Sequence, residues 1–320
     1  MLGFFKRKNY QIMYESHWNS FKISNVENYT NFKDILEKQI NLFWRNNVFI
    51  HKINHIEFAI LSSHEDFKMF VNTNNISNEK CLVTINVNKL ISDNSKDEIL
   101  DKEKLEKNLF ECLTHEFVHI RHWIFHQGFK KSYNLLITRA ARRNSYFLKS
   151  NRGIKELLAL IQNDLLVEGL ATFYEKEREY SICEFERDYE SYLHKIFSLN
   201  KILTDILNTQ IKAFKKNPDL FIKCSIDEIG SQRICYDIGY LMIYSILLAF
   251  DKLSIEDLLD LSEIKFYKLY EESVSIINKN YHKEFKILVS YNSKKGIYDY
   301  SKYLNLIYKS EQIKNKNIGY

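Results

Sequence analysis

Two histidines and a glutamate near position 115 have the types and spacing of a metal site. His115 and His119 are four residues apart in the string Leu113-Thr-His-Glu-Phe-Val-His-Ile120. Side chains four apart on a helix project from one face, so both imidazoles can share one metal ion. Glu116 adjoins the first histidine, where its carboxylate can reach a water molecule at that ion and act as a general base. The string therefore predicts a metal site that activates water.

A third ligand has to come from elsewhere in the chain. A catalytic zinc ion takes three protein ligands and keeps one position open. A histidine seven residues further along the same helix would lie about 10 Å along the axis, too far to share the ion. We expect the third ligand to be Glu168, a lone acid in the apolar run Leu165-Leu-Val-Glu-Gly-Leu170. Burial of an unpaired glutamate there would be costly, and metal coordination removes that cost. Alternatively, Glu168 lies on a polar helix face with Asp164 and Glu175.

These strings resemble the gluzincin class of metallopeptidases. His115-Glu116-x-x-His119 is followed by Glu168-Gly-Leu-Ala-Thr172, and gluzincins often carry the third ligand in such a Glu-Gly-x-Ala string. The gap of 49 residues from His119 to Glu168 is more similar to uncharacterised bacterial families of predicted zinc-dependent proteases, and the resemblance covers roughly residues 80–250. It implies a zincin-like α+β fold, predominantly α, and one Zn²⁺ per chain held by His115, His119 and Glu168. It also implies hydrolysis of a peptide or protein substrate with Glu116 as the base.

The resemblance also suggests residues that would stabilise an oxyanion or orient a ligand histidine. Gluzincins commonly use a downstream tyrosine or histidine to hydrogen-bond the oxyanion, which favours Tyr236 first and Tyr240 second. Packing in a helical core is an equally good account of both tyrosines. Some gluzincins orient a histidine with an aspartate four residues after the glutamate ligand, but this chain has Thr172 there. Arg121 also departs from the usual pattern, which favours an apolar residue.

Two other functions remain open on the sequence alone. The protein could be a zinc-binding scaffold without catalysis, although an intact Glu116 disfavours that interpretation. It could also be a helical partner-binding protein in which the motif arose by chance. Its contact surface would then be the segment 129–155, which has eight basic residues and no acid. A solvated helix face or loop is the simpler interpretation of that segment.

Composition bounds the fold and the compartment. The 320 residues are 45% hydrophobic and 27% charged, enough for one large domain or two modest ones, and the 8 glycines and 1 proline exclude collagen-like and proline-rich architectures. Five scattered cysteines suit free thiols in a reducing compartment.

The first residues do not have the pattern of a signal peptide, and the longest apolar run (238–250) is 13 residues, too short to span a membrane. We therefore expect a soluble cytoplasmic protein. The net charge of +5, without a recognisable module, predicts no nucleic-acid partner, and the oligomeric state is left open.

The chain divides into a short mixed part and a long helical part. Apolar periodicity and β-branched runs predict a helix over 30–45 and strands over 56–60, 69–71 and 82–88. The last strand is expected either at an edge, where it would pair with substrate backbone, or in the interior of the sheet. Helices are expected over 103–127 (ended by Gly128), 154–180, 184–216, 231–250, 254–261, 264–279 and 298–313. The expected domains are 1–100 with the sheet, 101–260 with the metal site, and 261–320, with one continuous domain as the alternative.

Overall fold

The fold is an α+β arrangement in which helices predominate. A computed structural model describes residues 10–14, 34–42, 56–61, 68–71, 81–96, 99–125, 151–176, 181–209, 228–230, 232–259, 261, 263–287, 291–292 and 297–298. Within these ranges the chain is mostly helical, with one four-stranded sheet and two short strand pairs. The expected class, α+β and predominantly α, is confirmed.

The chain forms two compact units. The first comprises residues 1–127 with 174–176, and the second comprises residues 128–173 with 177–320. The domain boundaries expected from the sequence, near 100 and 260, stay predictions.

The first unit contains a mixed sheet. Its strands are β1 (Tyr10–Tyr14), β2 (Ile56–Leu61), β3 (Met69–Val71) and β4 (Cys81–Asn86). The order across the sheet is β1-β2-β4-β3, with β1, β2 and β4 parallel and β3 antiparallel to β4. Buried side chains of β2 and β4, such as Phe58, Val83 and Ile85, give the sheet an apolar face.

The strand predicted over 82–88 occupies an interior position. It ends at Asn86, and β4 pairs with β2 on one side and β3 on the other. An edge position for this strand is therefore wrong, because both sides of its backbone are already hydrogen-bonded. The edge strands of this sheet are β1 and β3. Asn86 N–H donates to Lys68 O over 2.8 Å, and the alternation of an antiparallel ladder then turns the backbone N–H of Val71 away from β4.

The helices follow the apolar periodicity of the sequence. Residues 34–42 are helical, and the later helices are α1 (Val87–Asp93), α2 (Lys102–Phe125), α3 (Asn151–Lys176), α4 (Ile182–Thr209), α5 (Ile234–Ala249), α6 (Ile255–Leu259) and α7 (Glu263–Tyr281). The short strands are β5 (Ser95–Lys96), β6 (Ile99–Leu100), β7 (Tyr291–Asn292) and β8 (Ile297–Tyr298). Tyr298 lies in β8, so the helix expected over 298–313 does not begin there. Residues 299–313 and Gly128 lie outside the described residues.

Helix α2 begins at a clear capping signal. The Asp101 carboxylate accepts the backbone N–H of Lys104 over 3.1 Å, which satisfies one of the unpaired amides of the first turn. Leu105, Leu109 and Leu113 then repeat every four residues and are fully buried. Burial of this stripe determines which face of α2 packs into the core. It thereby also determines the direction in which the other faces of the helix project.

The second unit is organised around α5. This helix is buried on nearly every side, as expected of a helix that is apolar all round, and it contacts both α4 and α7. It contains most of the 238–250 run. None of the described helices is both long and apolar enough to cross a membrane.

A glycine pair allows α3 and α5 to touch through their backbones. A Cβ atom built on Gly239 would clash with the carbonyl oxygen of Leu165 and would lie 2.7 Å from Gly169 Cα. The atoms nearest to a Cβ built on Gly169 are likewise backbone atoms of Gly239, on α5.

We predict that Gly239→Ala lowers the free energy of unfolding by about 3 kcal/mol or more, because the added methyl group would have to displace backbone atoms. Denaturant unfolding measures the effect. Gly230→Ala is the matched control, since a Cβ there meets nothing within 4 Å. Equal stability of the two variants would contradict the close crossing.

Candidate metal centre

The two motif histidines lie next to each other on one face of α2. Their ring centroids are 4.7 Å apart and the rings meet edge to face. His115 and His119 are 7% and 8% exposed, so both are largely withdrawn from bulk water. Because a buried imidazole needs a partner for its nitrogens, this pair is suited to hold an ion between the rings.

Glu168, on α3, completes a group that could bind a metal ion. His115, His119 and Glu168 each offer one ligand atom, and these atoms all lie within 4.8 Å of one another. A tetrahedral zinc ion with ligand bonds of about 2.0–2.2 Å holds its donors about 3.4 Å apart. The separation of up to 4.8 Å is thus somewhat wider than that of bound donors, and a zinc ion would have to draw the three side chains closer. Two imidazole nitrogens and one carboxylate oxygen are also the donor types that zinc takes in catalytic sites.

The surroundings of Glu168 combine the two sequence interpretations. The neighbouring Leu165, Leu166 and Leu170 are fully buried, while Glu168 is half-buried. Asp164 is also half-buried and lies one turn earlier on the same face. The negative charges of Asp164 and Glu168, after burial itself, raise the pKa of the Cys235 thiol on α5. The acidic face of α3 is thus partly enclosed, which is where a carboxylate has most to gain from a cation.

The Glu116 carboxylate is fixed to the edge of the sheet. Its Oε2 atom accepts the backbone N–H of Val71 over 2.8 Å in a buried contact. Val71 is the last residue of β3, and its N–H points away from β4, as the ladder register requires. One carboxylate oxygen of Glu116 is therefore held by the edge strand.

A glutamate that the sequence motifs did not identify contacts the first histidine. His115 Nδ1 and Glu175 Oε2 are 3.0 Å apart, and Glu175 lies in the last turn of α3. A carboxylate accepts, so Nδ1–H of the ring donates and Nε2 keeps its lone pair for a metal. The signal in the sequence was the interval of seven from Glu168 to Glu175, which places both on one helix face.

Cys112 lies on α2, one turn before Glu116. Burial, with smaller contributions from Glu116 and Glu175, raises the pKa of Cys112 to about 12, against the opposing effect of Lys68. The described cysteines Cys112, Cys183 and Cys235 are all free thiols.

The candidate tyrosines of α5 differ in their surroundings. The Tyr240 hydroxyl is fully buried and donates to Asp188 Oδ2 over 2.7 Å. Tyr236 is partly exposed, and the guanidinium group of Arg233 lies 4.5 Å from its ring centroid. A role for either tyrosine at an oxyanion stays a prediction.

The basic segment lies almost wholly outside the described residues. Residues 129–150 are not described, and of residues 151–155 only the helical backbone is. Its proposed role as a contact surface stays a prediction.

Comparison of the chain with protein-family models, with curated proteins and with solved structures finds no match.

We predict that the protein purified without chelators carries about one zinc ion per chain, and that His115→Ala and Glu168→Ala each lose it, because two donors bind zinc far more weakly than three. Elemental analysis by mass spectrometry measures the metal. His194→Ala, at an exposed position of α4, is the control and should retain it. Unchanged zinc in either ligand variant would remove that residue from the site.

We also predict that Tyr240→Phe lowers the free energy of unfolding by about 1–3 kcal/mol, because the buried Asp188 carboxylate loses this donor. Tyr236→Phe should lower stability by less than Tyr240→Phe does, since the Tyr236 side chain is partly exposed and its ring keeps the contact with Arg233. Thermal unfolding of the two variants side by side makes the measurement. Equal effects would contradict the structural role of the Tyr240 hydroxyl.

Proposed function

We propose that this protein is a zinc-dependent peptidase of the gluzincin type, with His115, His119 and Glu168 as metal ligands and Glu116 as general base. The observation that carries the proposal is the group of three donors, together with Glu116, which directly follows the ligand His115 in helix α2.

Zinc bound at this group would supply a Lewis acid that polarises a carbonyl and acidifies a water molecule. Glu116 then removes the proton from the attacking water and delivers it to the amine that leaves. Its hydrogen bond from Val71 holds the carboxylate while it changes protonation state. Both steps use one side chain, so the proton is transferred without a second acid.

The zincin-like part of the proposal is supported by the sheet edge. Helix α2 packs against β3, and β3 is an antiparallel edge strand in an otherwise parallel sheet. An edge strand can add an extended peptide through backbone hydrogen bonds. We propose that β3, rather than the strand over 82–88, receives substrate through the outward-facing backbone groups of Met69, because the Val71 N–H already donates to Glu116.

We propose Tyr236 as the donor to the oxyanion. The hydroxyl hydrogen of Tyr240 is already donated to Asp188, so Tyr240 would have to break a buried hydrogen bond in order to serve. Partial exposure of Tyr236 favours its access to a substrate.

The test is Glu116→Gln. We expect the variant to keep its zinc and to hydrolyse a quenched-fluorescent peptide library about 10²–10⁴-fold more slowly, the usual contribution of a general base. The amide oxygen of glutamine can still accept the Val71 N–H, so the fold is preserved. Glu103→Gln, an exposed position on the same helix, is the control and should be fully active.

Three other results would each contradict a different part of the proposal. Wild-type rates in Glu116→Gln would remove Glu116 as the base. A wild-type protein that holds zinc and cleaves no library member would be the non-catalytic scaffold. Zinc near zero in the wild type would favour the helical partner-binding protein.

A further inference from the structure

We infer that Glu175 is a positioning residue for the metal ligand His115, and that its carboxylate increases the affinity of the site for zinc. The inference rests on the proposed metal site. It assigns to α3 a second role besides carrying Glu168.

The contact is short and sheltered. His115 Nδ1 and Glu175 Oε2 are 3.0 Å apart, and the two side chains are 9% and 23% exposed. Because the ring must donate from Nδ1, the tautomer with its lone pair on Nε2 is selected before any metal arrives. A carboxylate behind an imidazole also makes the ring a stronger donor to a cation.

The spacing of Glu168 and Glu175 along α3 separates the metal ligand from the residue that orients His115. Glu168 and Glu175 are seven residues apart, so they lie on one face about two turns from each other. That separation is too large for both carboxylates to bind one ion. A single rigid helix can therefore supply the ligand with one residue and orient His115 with the other.

Thr172 strengthens the assignment to Glu175. It stands one turn after Glu168, at the position from which an acidic side chain could also turn back towards a histidine. A threonine is neutral and its hydroxyl is buried without a hydrogen-bond partner. The Glu175 carboxylate, from the next turn of the same face, contacts His115.

The charge of Glu175 acts on its neighbours. Burial first and Glu175 second raise the pKa of Glu111, which lies one turn before His115 on α2. An added negative charge in this sheltered region favours a cation nearby, which is the direction needed for tighter zinc binding.

The test compares zinc affinities, measured by competition with a chromophoric chelator at fixed pH. We expect Glu175→Ala to bind zinc about 10–100-fold more weakly than the wild type, the usual cost of losing such a partner. Glu175→Gln should lose less, because its amide oxygen still accepts from Nδ1. Glu111→Gln removes the same charge one turn away and should bind within about threefold of the wild type.

A second measurement is independent of zinc. Long-range ¹H–¹⁵N NMR of the metal-free protein reports the tautomer of His115, and we expect Nδ1–H in the wild type and in Glu175→Gln, with a mixture in Glu175→Ala. A merely structural contact would change the unfolding temperature of Glu175→Ala and leave its zinc affinity unchanged.

The outcomes separate this inference from the proposed function. If the wild type binds zinc and Glu175→Ala binds it equally well, the inference is wrong and the metal site stands. Equal weakening by Glu111→Gln would also overturn it, since bulk charge would then explain the effect. If the wild type binds no zinc, the proposed function and the inference are both wrong.

Discussion

Carboxylates that are largely withdrawn from water are the constraint on which this structure depends. A buried charge without a partner would cost several kcal/mol. Each of these carboxylates therefore requires a hydrogen-bond donor or a cation next to it. Glu116 faces a backbone amide, Glu175 an imidazole, Asp188 a tyrosine hydroxyl and Asp237 the ammonium group of Lys195. These partners come from other elements of the chain, so the pairs specify how the helices and the sheet edge have to meet.

The same constraint explains why α3 can be apolar and chemically important together. Its leucines around position 166 are fully buried, and a separate stripe carries Asp164, Glu168 and Glu175. The leucines stabilise the helix through burial, while the acidic stripe stays available for histidines and a cation. A solvated polar face and a ligand-bearing face are therefore not opposed interpretations of this helix. One partly enclosed stripe is compatible with both.

Helices were predictable here because their signal is local. The leucine stripe of α2 and the apolar runs of α3 and α5 placed these elements to within a few residues, and the spacing of His115 and His119 required nothing beyond helix geometry. Contacts between elements that are distant in the sequence were harder to predict. The burial of β4 side chains is equally compatible with an edge or an interior strand, and Gly169 could have met any helix. Glu175 was missed for a related reason, because nothing in the sequence says which of two acids on a stripe will face His115. Only the approach of the last turn of α3 to that ring decides it.

The hydrogen bond between Val71 and Glu116 has a consequence for how the protein behaves among copies of itself. An edge strand with open amides is a template on which other chains can add, and such strands promote aggregation. Here the strand is three residues long, Lys68 precedes it, and the outward amide of Val71 is covered by a carboxylate of the same chain. A foreign strand would have to displace a buried charge before it could pair along the whole edge. Glu116, the proposed general base, thus also hinders other chains from adding strands along the whole edge of the sheet.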